Sequence, residues 1–127
     1  MRTDVANPHG TCPKRLHLGA HVIPIRWHRH YLACDEDNAI VTDCIDDGDL
    51  GMMTLTDAWI IHISERSPDQ PITVLHEALH AAMRTTGVYR LLDGREDEEA
   101  IVTGFSEAVV ELLRRNPGLS EYLKERA

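Results

Sequence analysis

Hydrophobic and polar positions change their period along this chain. From His21 to His28 apolar residues (Val22, Ile23, Ile25, Trp27) are interspersed with polar ones, a strand signal, and Pro24 within it predicts an edge position. Asp35 to Asn38 reads as a turn, Ala39 to Ile45 as a second short strand and Asp46 to Asp49 as another turn. Leu50 to Thr54 and Trp59 to Ile63 read as extended, the second being densest in β-formers. Residues 1–20, rich in Pro, Gly, His and basic side chains without a period, read as an irregular lead-in to a single domain over residues 21–127.

Beyond Ser64 the period becomes helical. A helix is predicted from Pro71, which suits a first turn, to Thr86, where Gly87 supplies a stop. Val88 to Leu92 is a connector closed by Asp93-Gly94. A second helix runs from Arg95 to Arg115 with Ile101, Phe105, Ala108 and Leu112, flanked by Val102 and Val109, as its buried stripe. Asn116-Pro117-Gly118 ends it, and a short helix follows from Leu119 to Arg126. Strands first and helices after give an α+β class: a small N-terminal sheet packed on the first helix, then a second long helix and a short C-terminal one.

Aromatic residues make up only 5% of the chain, so the core rests on Leu, Ile, Val, Met and Ala. No apolar run reaches the length of a membrane span and the N-terminus lacks a secretory h-region, which places the protein in the cytoplasm. A net charge of −8 without a Lys/Arg cluster argues against nucleic acid as the partner. Cys12, Cys34 and Cys44 are odd in number and, with His17 and His21, fit no compact zinc spacing; they read as free thiols and surface histidines.

The chemistry concentrates at His76-Glu77-Ala78-Leu79-His80, a HExxH pentad inside the apolar helical stretch Thr73 to Met83. Residues four apart share a helix face, so His76 and His80 can offer two imidazoles to one metal ion. Glu77, on the flank between them, can hold and deprotonate a water. The plainer alternative is a core helix with two hydrogen-bonded histidines. A catalytic zinc takes three protein ligands, and the acidic run Glu96 to Glu99 opens the next helix. Glu98 precedes Ile101, Val102 and Phe105 by three, four and seven, which makes it the first choice for third ligand, with Glu99 second. Complementing the helix dipole also accounts for acidic residues there.

A HExxH helix followed by a glutamate on the next helix resembles the gluzincin pattern. Over about residues 50–123 the chain resembles the small phage- and prophage-associated zincins near the ImmA/IrrE-type metallopeptidases. The likeness is carried by Leu50-Gly51, Trp59 to Ile63, Thr73 to Ala81, Asp97 to Glu99 and Leu113 to Pro117. The segment after the pentad differs from theirs, reading Glu98-Glu99-Ala100-Ile101-Val102-Thr103-Gly104-Phe105. The resemblance implies a minimal zincin fold in a bacterial or phage-infected cell, with one Zn2+ held by His, His and Glu. A SprT-type, DNA-associated protease is disfavoured by the acidic charge.

The expected activity is zinc-dependent peptide hydrolysis with Glu77 as general base. Tyr89 and His62 are candidates to stabilise the oxyanion. The substrate would be a protein or peptide bound as an extended strand, along Trp59 to Ile63 if that segment lies at a sheet edge. The rival is a non-catalytic, zinc-stabilised binding or assembly module, since so small a chain leaves little room for a cleft. Oligomeric state is not readable from the sequence.

Overall fold

The computed structural model of the chain describes residues 4–5, 12–34, 40–55 and 59–125. Strands β1 (Asp4–Val5), β2 (Arg15–Leu18), β3 (His21–His28), β4 (Tyr31–Cys34), β5 (Ile40–Cys44), β6 (Gly51–Leu55) and β7 (Trp59–Ser64) come first. Helices α1 (Gln70–Thr86), α2 (Arg95–Arg115) and α3 (Pro117–Lys124) follow, with a 3-10 turn at Val88–Leu91. The class is α+β. No helix among the described residues is long and apolar enough to cross a membrane. The turn expected over Asp35 to Asn38 lies outside the described residues.

The main sheet runs β1-β3-β7-β6, with β3 and β7 parallel and β6 antiparallel to β7; β2 also pairs with β3, and β4 with β5 form a separate pair. Three expectations change here. The lead-in is not irregular throughout: Leu16 and Leu18 of β2 pack against the core, and β1 and β2 both pair with β3. β3 is not an edge strand, because β2 pairs with its first half and β7 with its second. Pro24 is tolerated there because Ile25 N–H bonds Lys14 O on the β2 side, so alternation turns position 24 away, where the β7 ladder has not begun. β7 lies inside the sheet, so the edge is β6.

Period-2 alternation puts Ile23, Ile25 and Trp27 of β3 and Ile61 and Ile63 of β7 on one face, buried with Ala81 of α1. Each large side chain so buried contributes about 1.5–3 kcal/mol. The even positions His28, His62 and Ser64 are buried on the opposite face. β4, unexpected from the sequence, buries Leu32 and meets the Asp46–Asp49 bend. A Cβ on Gly48 (φ 146°) would lie 2.7 Å from Leu32 O, so only glycine fits that approach.

Local capping fixes α1. Asp69 accepts a hydrogen bond from Ile72 N–H at 3.3 Å, Pro71 occupies the first turn, and Gly87 closes the helix in the left-handed region at φ 78°. α2 spans the expected residues but is rotated relative to expectation. Its buried row is Glu98, Val102, Ser106 and Val110, while Ile101, Phe105 and Leu112 are 38%, 61% and 51% exposed. At 100° per residue the expected apolar stripe lies about 110° round from the face that docks on α1. Glu98 pairs with His80 and Arg84 of α1 at the head of this face, and Val102 and Val110 follow it inward.

Candidate metal centre

One face of α1 carries His76 and His80, whose Nε2 atoms lie 3.2 Å apart. α2 lays its acidic first turn across them. Glu99 places Oε1 2.7 Å from His76 Nε2 and Oε2 2.9 Å from His80 Nε2. Among the described residues His76, His80 and Glu99 form a group that could hold a metal ion, with one donor atom from each, all within 4.8 Å of one another.

Glu98 is placed differently. Its carboxylate is buried behind His80, with Oε2 2.6 Å from Nδ1 and Oε1 3.0 Å from Arg84 Nη2. Both oxygens are therefore engaged away from the point where Glu99 and the two Nε2 atoms converge. Helix phase makes Glu98 the first choice for third ligand and Glu99 the second; among the described residues it is Glu99 that stands with His76 and His80 in the group that could hold an ion. Arg84 was missed, although its position four residues after His80 puts it on the same face of α1. Its guanidinium also sits 4.3 Å above the Tyr89 ring.

The donor set fits a cation. Donation from His80 Nδ1 to Glu98 leaves a lone pair on Nε2 facing a carboxylate oxygen and a second imidazole nitrogen. Such an arrangement is favourable only with a positive charge, a proton or a metal ion, between the acceptors. Tetrahedral bonds of about 2.0–2.1 Å would set donor atoms about 3.3 Å apart, within a few tenths of an ångström of the spacing between the histidines. Burial holds His76 below the usual imidazole value, against the opposing pull of Glu99, so the ring favours its neutral, ligating form.

Glu77 is buried on the flank of the group, with Oε2 3.9 Å from His76 Nε2. Burial, partly offset by His80 and reinforced by the negative charges of Glu99 and Asp49, pushes its carboxyl up to about 7. A group so poised can both take and give a proton near neutral pH. Gly51 of β6 packs directly on it: an added Cβ would lie 3.0 Å from Glu77 Cγ and 3.1 Å from Oε2. The absence of a side chain at Gly51 lets the sheet edge pass close over Glu77.

The other candidates do not reach the group. His62 faces away from α1 and its Nδ1 lies 2.9 Å from His28 Nε2, the two rings stacked at 5.1 Å. Tyr89 receives a hydrogen bond from Arg90 Nε at 3.4 Å and touches the site only through Arg84. Cys12 and Cys44 are half-buried and Cys34 is exposed, and His21 stacks on Trp59 at 4.6 Å. No family model, curated protein or solved structure matches the chain.

Proposed function

We propose that the protein is a zinc-dependent metallopeptidase of the gluzincin type, with His76, His80 and Glu99 as the metal ligands and Glu77 as the general base. The observation that carries this reading is the meeting of two imidazole Nε2 atoms and one carboxylate beside a second, buried carboxyl poised near neutrality. Two histidines and one glutamate, with a fourth position left for water, are a donor set of catalytic rather than structural zinc. When bound, zinc supplies Lewis acidity and brings the pKa of water to near 7.

The chain's own groups do the rest. Glu77 accepts the proton of the attacking water on its carboxylate and returns it to the leaving amine. Its elevated pKa suits both transfers. Glu98 and Arg84 lock the ring of His80. Beside Glu77 the outer edge of β6 is unpaired among the described residues, and its backbone groups can receive an extended peptide. Gly51 would let the scissile segment lie close to Glu77. The substrate class is therefore an extended or unfolded polypeptide.

The test pairs elemental analysis of the purified chain with mass spectrometry of an unstructured peptide library. Wild type should carry about one zinc and cleave; Glu77→Gln should keep the zinc and lose at least about 100-fold in turnover. Zinc retained without any cleavage would favour the assembly-module alternative. Cleavage unaffected by Glu77→Gln would refute the mechanism.

A further inference from the structure

We propose that the outward face of α2 is a homodimer interface, in which α2 of one copy packs antiparallel against α2 of a second. Ile101, Phe105, Ala108 and Leu112 follow one another at spacings of four, three and four, the knob spacing of a two-helix seam. All four are exposed, and no other described element covers them.

Four observations select a second copy of this chain, in antiparallel orientation. First, setting Ile101 level with Leu112 of the second copy brings Phe105 level with Ala108, so each of the two inner layers matches a large side chain with a small one. The match is its own mirror, as a two-fold interface requires. Second, Asp97 and Arg115 lie eighteen residues apart, about five full turns, and so fall on the same flank of the seam. In that register Asp97 of each copy stands beside Arg115 of the other, whereas parallel packing would leave the two at opposite ends of the seam. Arg115 is 78% exposed and, among the described residues, pairs with Glu111 on its own helix at 3.5 Å.

Third, Gly104 borders the seam near the middle of α2, where glycine weakens a helix relative to alanine. An added Cβ there would meet nothing within 4 Å, so no packing among the described residues calls for it. Close approach of another helix does. Fourth, a shallow recess of about 270 Å³ lined by Ala108, Glu111, Leu112, Arg115 and Asn116 opens where Ile101 of the second copy would arrive. Glu99 points about 120° round the helix from Phe105, which leaves the candidate metal centre open in the dimer.

Sedimentation velocity on the full chain, from micromolar to sub-millimolar concentration, reads the dimer directly. Phe105→Lys should raise the dissociation constant by about 100-fold or more while circular dichroism stays unchanged, because the side chain is exposed in the single chain. Asp97→Arg and Arg115→Asp should each weaken dimerisation about tenfold, and combining them should restore it. A chain monomeric at every concentration overturns the proposal and leaves this face to a different protein. Dimers indifferent to Phe105→Lys overturn it as well, and failure of the combined variant to recover overturns the antiparallel pairing.

Discussion

Glu98 Oε2 receives a hydrogen bond from Nδ1 of His80 at 2.6 Å, on the side of the ring opposite Nε2. The buried carboxylate thereby fixes the tautomer of the ring, and Arg84 neutralises the carboxylate from behind. A histidine held in this way keeps its Nε2 lone pair aimed at one point whether or not an ion is there. Such supporting contacts typically govern metal affinity by about 10–100-fold.

Glu98→Gln and Glu99→Gln should therefore differ in degree and in kind. Loss of Glu99 removes a donor atom and should abolish stoichiometric zinc, whereas Glu98→Gln should weaken binding by about 10–100-fold and leave a three-donor site. Competition against a calibrated zinc chelator measures both. The reverse order, with Glu98→Gln the more damaging, would return the ligand role to Glu98.

The protonation of Glu77 makes a pH prediction for metal-free protein. Its folded value of about 7 stands above the usual 4.5, so the folded state holds the proton to higher pH than the unfolded state does. Stability then falls as pH rises from about 4.5 to about 7 and stays reduced above it, by on the order of 3 kcal/mol. Lowering of His76 acts with the opposite sign, stability rising with pH up to about 6.5, and is common to both proteins compared. In urea melts without metal, Glu77→Gln should exceed wild type clearly at pH 8 and much less at pH 5. Equal stabilities at pH 8 would mean that the carboxylate is solvated.

Gly51→Ala should harm both the fold and the site. The new methyl group presses on Thr73 and Glu77 at 3.0 Å, and relief requires β6 and α1 to separate slightly. Overpacking of this kind costs about 1–3 kcal/mol, and peptide cleavage should fall further than the stability change explains. Wild-type turnover in Gly51→Ala would show that β6 does not guide the substrate.

Asp69 joins a cap to an ion pair, accepting from Ile72 N–H and from Arg114 at 2.9 and 3.1 Å. The Arg114 guanidinium holds its carboxyl below the usual range. This contribution is present above the unfolded carboxylate value and is lost as pH falls through the lower folded one. Asp69→Ala should cost about 1 kcal/mol at neutral pH through the lost cap, and Arg114→Ala less, because the pair is solvent-exposed. Thermal melts at neutral pH compare them.

The parts of this fold that were legible in the sequence are those set by local chemistry. The limits of α1 follow from Pro71 and Gly87, with the Asp69 cap added by the structure, and the pairing of His76 with His80 follows from helix geometry. The rotation of α2 was not legible, because Glu98 docks through His80 and Arg84 while the most apolar row of the helix faces outward. A hydrophobic stripe does not by itself say which face the chain turns inward. β3 misled for a related reason: Pro24 excludes a hydrogen bond on one side at one position, and the strand changes partners there. In β2 only four residues alternate, too few to stand out from the lead-in.

The candidate ligands and base occupy positions 76 to 99, on two consecutive helices, while the sheet draws on strands far earlier in the chain. Closing a loop this short is entropically cheap compared with assembling the sheet. The α1–α2 hairpin that carries the candidate site is thus a local unit, whose contacts close without waiting for the strands to pair.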